Sequence, residues 1–253
     1  MSIPQTYEAS TNRALSLFLL ETSRPSLALS FISTCARLCQ GAGYHCLKFD
    51  SSDSQAKQKI VIFWLVFSID RGLSLNFGRS PSLQDYDVMA SRPSLVESQK
   101  DRELFFCSVG VELAYLQGDV YKLLYSARAQ SESTDIKADH ARVLSDRMSS
   151  LRQQILLVCV FQKVTTRVIF TNNAQFETGN DVSFMHMIEG YDLLLQSHLA
   201  LIYQAIPSTR GDSPLHFSDE CIIASRAAME GYNTAWEKYG SRDDTAWKTL
   251  INW

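Results

Sequence analysis

An apolar run carrying two opposite charges in its middle constrains this chain more than any other feature. Residues 63–88 read F-W-L-V-F-S-I-D-R-G-L-S-L-N-F-G-R-S-P-S-L-Q-D-Y-D-V. The first half is too apolar to lie on a surface, yet it contains Asp70 and Arg71. Helical spacing puts Phe63, Phe67, Asp70, Leu73 or Ser74, and Phe77 on one face, so a carboxylate sits among aromatic rings. Arg71 is the next residue, about 100° round the helix, and does not face Asp70. A buried charge is costly unless it is paired, so Asp70 needs another partner. Arg79 in the following loop is one candidate. Gly78, with Pro81 just beyond it, is a helix stop.

The rest of the chain reads as helices around this one. Residues 12–21 form a short apolar helix, and Pro25 opens a second at the first-turn position, where its missing N–H is harmless. In that helix Leu27, Phe31 and Leu38 line one side and Ala28, Ile32 and Cys35 the adjacent side, a stripe broad enough for two neighbours. Gly41 and Gly43 end it. The central helix is expected from about Gln55 to Phe77. A loop follows, and a long helix should start near Val96. Its stripe of Phe106, Val109, Leu113, Leu116, Val120 and Leu123 steps by three and four residues, the helix period.

Thr134 is the expected N-cap of a charged helix through Arg152, with Val143, Met148, Leu151 and Ile155 facing inward. After Phe161, V-T-T-R-V-I-F-T is β-branched and strand-like. N-N-A-Q-F-E-T-G-N-D is loop-like, so residues 162–181 read as an irregular insertion. A surface loop and a retained intron both fit it. Helical pattern resumes from Val182 to Ile206 with Met185, Ile188, Leu193, Leu199 and Ile202 among its apolar positions, and Pro207 stops it. Ser218 begins a last helix with Asp219 and Glu220 in its first turn, where the dipole favours them. The expectation is a single all-α domain of about eight helices over residues 1–253, with truncation at either end left open.

Composition narrows the function classes. The chain has 253 residues, 45% hydrophobic and 20% charged, with a net charge of −3, so it offers no basic footprint for nucleic acid. The N-terminus lacks a basic stretch followed by an apolar core, and the longest apolar runs are short of a membrane span. These features point to an intracellular, reducing setting without a membrane. Among the six cysteines, Cys35, Cys39 and Cys46 are spaced C-x3-C-x6-C, one residue off half of a binuclear zinc cluster. The second half is missing, and helical spacing puts Cys35 and Cys39 on an apolar face, so a buried structural role is expected. No nucleophile elbow, phosphate-binding loop or H-E-x-x-H is present. His186 and Glu189 resemble half of a di-metal helix motif, which needs ligands from four helices. Asp85 and Asp87 flank Tyr86 and read as loop anchors or caps. Arg210-Gly-Asp212 reads as a turn. Nothing supports catalysis, and no cofactor is expected in this chain.

The central stretch resembles the fungal-specific transcription factor domain, the regulatory middle region of fungal zinc cluster activators. Phe63-Trp64, Asp70-Arg71, Leu73-Ser74 and Gly78-Arg79 match its signature, and Asp85 to Val88, with Asp85 and Asp87, fit its acidic tail. Ala36 to His45 and Val111 to Ser126 look like neighbouring helices of that family, and the resemblance is clearest over residues 13–130. Two features depart from it: Lys57-Gln-Lys59-Ile-Val-Ile replaces a basic pair, and Gly78-Arg-Ser-Pro81 replaces Gly-Arg-Pro.

The resemblance implies a non-catalytic region that regulates RNA polymerase II transcription in the nucleus. Co-regulator proteins or a small-molecule effector are its implied partners. Family members bind zinc and DNA through an N-terminal cluster that this sequence lacks, so DNA would be reached through such a cluster or a partner. A stand-alone all-α interaction module without transcriptional activity is the alternative, and an α-helical enzyme with an unfamiliar site is a third class. Target promoters, effector and oligomeric state are not readable.

Overall fold

In the computed structural model the described residues are 24–48, 53–95, 102–170, 179–206 and 217–239. They contain six long α-helices. These are α1 (Pro25–Gly41), α2 (Ser54–Asn76), α3 (Arg102–Val120), α5 (Thr134–Phe170), α6 (Gly179–Gln204) and α7 (Asp219–Tyr239), with a single-turn helix, α4, at Ala127–Gln130. No strand occurs among the described residues, so the fold is all-α. The expected helix at residues 12–21, the start near Val96 and the turn at 210–212 lie outside the described residues. The described residues divide into two compact units, one ending at Ser126 and the other beginning at Ala127.

In the first unit α2 packs against α1 and α3. Pro25 occupies the first helical turn of α1. Only one of its two apolar sides is fully buried. Ala28, Ile32, Cys35, Ala36 and Cys39 are at 0% exposure, whereas Leu27 on the other side is 47% exposed. Asp53 caps α2, its Oδ1 accepting from Gln55 N at 2.9 Å and Ala56 N at 3.1 Å. From Phe63 to Leu75, α2 presents buried residues on nearly every side, as expected of a helix wrapped by its neighbours. The helix ends in a Schellman turn: Gly78 has φ +60°, its N–H donates to Leu75 O at 3.0 Å, and Arg79 N–H donates to Ser74 O at 2.8 Å. At its far end α3 widens into a π turn over Tyr121–Tyr125. The wider turn shifts the apolar stripe by one residue, so Leu124 is buried at 2% exposure where the helix period pointed to Leu123.

In the second unit α6 packs against both α5 and α7. The cap of α5 is Ser133, whose Oγ accepts from Ile136 N at 3.4 Å, one residue before the expected Thr134. The inward face runs Ala141, Leu144, Met148, Leu151 and Ile155. Val143 is 59% exposed, because it lies about 100° from Leu144 on the wheel. The strand expected after Phe161 is instead a continuation of α5 to Phe170. An uninterrupted helix supplies each of those residues with a backbone partner, which outweighs the modest strand preference of Val, Thr and Ile. α6 starts at Gly179, so residues 162–170 and 179–181 of the stretch read as irregular are helical, and residues 171–178 lie outside the described residues. Ser218 caps α7, its Oγ accepting from Cys221 N at 3.1 Å. Gly231 of α7 admits the Leu193 side chain of α6, which a β-carbon would meet at 2.6 Å.

Candidate functional site

Residues 79–91 leave the end of α2 and run back along it as a strap. The backbone of this segment is not helical apart from one 3-10 turn at Asp85–Asp87, so its amides need partners outside any regular ladder. Side chains of α2 and the turn after α1 supply them. Asp70 Oδ2 accepts from Ser82 N at 2.8 Å and from Leu83 N at 3.1 Å. Arg71 Nη2 donates to Leu83 O at 2.9 Å and to Asp85 Oδ1 at 2.7 Å. Trp64 Nε1 donates to Ser91 O at 2.9 Å. His45 O accepts from Met89 N at 2.8 Å and Ala90 N at 2.7 Å, and Leu47 O accepts from Ser91 N at 3.1 Å.

Asp70 and Arg71 therefore hold opposite ends of one peptide segment. Asp70 takes the N–H of Leu83 and Arg71 takes its C=O, while the Leu83 side chain is buried at 0% exposure. The partner of Asp70 is this pair of backbone amides and not Arg79, whose side chain is exposed and whose contribution is the N–H that closes the Schellman turn. A helical wheel finds the buried carboxylate but not its partners, because those lie twelve and thirteen residues away along an irregular path.

The surroundings set the electrostatics. Asp70 is 0% and Arg71 4% exposed. Burial pushes the Asp70 carboxyl above the ordinary carboxylate range, and the Leu83 and Ser82 hydrogen bonds and the Arg71 charge only partly offset it. The guanidinium of Arg71 lies over the Phe67 ring, 4.7 Å from its centroid, and its salt bridge to Asp85 reaches the half-exposed edge of the strap. Phe63, Trp64 and Phe67 form the aromatic floor, with centroids 5.1 Å apart for Phe63–Trp64 and 5.3 Å for Trp64–Phe67. Tyr115 of α3 closes the group 5.1 Å from Phe67. Arg92, just beyond the strap, stacks over Tyr115 at 4.1 Å and pairs with Glu112 at 2.6 Å.

The residues singled out in the sequence thus fall into two sets. Phe63, Trp64, Asp70, Arg71, Leu73 and Ser74 are buried in or against this core. Gly78, Arg79, Asp85 and Asp87 shape or flank the strap, and Asp85 is the acidic residue bound to Arg71. Gly118 is the residue sequence reasoning missed: a β-carbon there would overlap Arg71 Nη1. The one available signal was a glycine inside the long helix α3, where it costs about 1 kcal/mol relative to alanine and so suggests a close approach.

The charged groups of the strap site are engaged with backbone and with one another, an arrangement that fixes a loop. Cys35 and Cys39 are buried at 0% exposure on the apolar face of α1, and burial together with Cys35 pushes the Cys39 thiol up to about 12. Among the described residues no three His, Cys, Asp or Glu side chains converge as metal ligands. Among the same residues no helix is long and apolar enough to cross a membrane.

Comparison with known proteins matches residues 14–153 to the fungal specific transcription factor domain. A protein of Fusarium heterosporum named Fusaridione A cluster transcription factor fsdR is 29% identical over 231 residues, covering 86% of this chain and 42% of that protein. Two proteins named ABC-transporter-regulating transcription factor are similar over a shorter part. That of Aspergillus fumigatus is 27% identical over 132 residues, and that of Aspergillus oryzae 28% over 134. Each of those matches covers 47% of this chain and 14% of the relative. The chain thus spans less than half the length of the curated relatives it matches. No solved structure matches it.

Proposed function

Because this chain belongs to the fungal specific transcription factor domain family, we propose that it is the regulatory region of a fungal transcription factor that controls RNA polymerase II transcription in the nucleus. The observation that carries the reading is the family match over residues 14–153, which includes the whole of α2, the strap and α3. The role is non-catalytic. Support comes from the use of the charges: Asp70, Arg71 and Asp85 are engaged in fastening the strap. The partners are co-regulator proteins or a small-molecule effector.

DNA is reached through a zinc cluster or a partner outside this sequence, since a chain of net charge −3 has no phosphate-binding excess. No target gene carries over from the relatives. Their names point to different targets, ABC transporters in one case and a fusaridione A cluster in the other.

Fusing the chain to an unrelated sequence-specific DNA-binding domain in a fungal host tests the reading. The fusion should change expression of a reporter bearing the matching site, up or down, relative to the DNA-binding domain alone. The unfused chain should show no retarded band with promoter DNA. A fusion that enters the nucleus, binds its site and leaves the reporter unchanged in all growth conditions would favour an interaction module without transcriptional activity.

A further inference from the structure

We propose that the outward face of α7 is a self-association surface, on which a second copy of this chain packs its own α7 antiparallel. The helix is apolar on both sides. Its inner side uses small residues: Cys221 and Ala235 are buried, and the missing β-carbon of Gly231 makes room for Leu193 of α6. The large apolar side chains are turned the other way. Ile222 is 39%, Met229 68%, Tyr232 42% and Trp236 52% exposed. Helical spacing gathers these four within about 80° of the circumference. Tyr232 and Trp236 stack there with ring centroids 6.3 Å apart and 15° between their planes. A helix that is apolar all round belongs in an interior. A contiguous exposed stripe built on Tyr and Trp has the makeup of an interface core.

Two properties of the stripe select a copy of itself as the occupant. The first is its symmetry about Met229. Ile222 and Trp236 lie seven residues to either side, roughly 10 Å along the axis. An antiparallel pair crossing at Met229 sets Ile222 of each copy against the partner's Trp236, with the two methionines meeting on the axis.

The second property is charge. The edge of the stripe beyond Ile222 carries exposed Arg226 and Glu230, whereas the opposite edge carries Tyr232 and Ser225 and no charge. Antiparallel helices bring like edges together, so Arg226 of each copy comes within one helical turn of the partner's Glu230. The two-fold axis makes that contact twice. A parallel pair would set the charged edge against the uncharged one, so the flanking charges specify the antiparallel arrangement. A single helix pair buries less than a permanent interface does, so the dimer forms with rising concentration.

The test is sedimentation velocity of the chain from about 1 to about 200 µM, a range suited to a small interface. Reductant is present because Cys46 is exposed. The wild type should pass from the monomer mass to twice that mass, and Met229→Glu should stay monomeric throughout. Arg226→Glu should weaken the dimer about tenfold or more, by facing like charges across the axis. Arg226→Glu combined with Glu230→Arg should return it to within about threefold of wild type, as coupled partners do. All these positions are exposed, so far-UV circular dichroism should show unchanged helix content. A wild type that stays monomeric over the whole range, as for a face kept for a different protein, overturns the proposal. So does a dimer indifferent to Met229→Glu, or a double variant no tighter than Arg226→Glu alone.

Discussion

Arg71 of α2 and Gly118 of α3 occupy complementary space: the guanidinium Nη1 lies where a β-carbon of residue 118 would stand. Because Arg71 is 4% exposed and holds both Leu83 O and Asp85, it cannot swing aside without leaving a buried charge and a strap carbonyl unsatisfied. Gly118→Ala should therefore destabilise the first unit by about 1–3 kcal/mol, the range for forced overpacking. Denaturant unfolding measures it. An unchanged midpoint would mean that Arg71 has another low-energy position. Arg71→Lys should not restore the variant, since an ammonium cannot serve the carbonyl and carboxylate with one planar fork.

Removing the outer partner tests the other end of the same side chain. Asp85 is half-exposed, so water reaches its side of the pair, but Arg71 is enclosed. Asp85→Ala should cost about 1.5–3 kcal/mol, as for a hydrogen bond to a charged group. The loss should appear in amide exchange as lower protection of Leu83 and Ser82. Loss of stability with strap protection intact would place the effect elsewhere.

The turn that launches the strap gives an independent handle. Gly78 has φ +60° and open space around its Cα, so a side chain meets backbone strain and no clash. Gly78→Ala should cost about 1–2 kcal/mol. Gly78→Asn should cost less, since asparagine tolerates the left-handed region better. Equal costs for the two variants, read by thermal unfolding, would count against a purely conformational role for this glycine.

What the sequence revealed and what it concealed divide along a physical line. Features fixed by neighbours in the chain were legible: Pro25 opening α1, Gly78 ending α2, Ser218 starting α7, and Asp70 facing aromatics. Features fixed by an irregular path were not. The amides that hold Asp70, the pairing of Arg71 with Asp85, and the need for glycine at 118 depend on where the strap and α3 pass in space. The strand-like reading of residues 164–170 shows a weak local preference losing to the continuity of α5. The choice of Val143 over Leu144 shows that a mixed charged helix does not reveal its inward face until its neighbour is known. Of the candidate site, the side chains were legible and their partners were not.

The second unit contains a buried titrating group. His198 of α6 is 4% exposed, and its Nδ1 lies 2.5 Å from Leu194 O. A carbonyl oxygen can only accept, so Nδ1 carries a hydrogen. Burial lowers the tendency of the ring to take a second proton, more than the Leu194 bond raises it. The unfolded chain, with an ordinary imidazole near pKa 6.5, then binds more protons than the folded one below that pH. Stability from His198 is full above about pH 6.5 and is lost as pH falls toward the lowered folded value. His198→Asn retains an N–H donor near the same place and does not titrate there. Relative to it, the wild-type unfolding constant should rise by up to tenfold per unit as pH falls below about 6.5. Residue-resolved amide protection localises the effect: acidification should lower protection in α6. Protection in α6 that is indifferent to pH between 7.5 and 5, in wild type and variant alike, would mean that the His198 ring is protonated or hydrated in the fold.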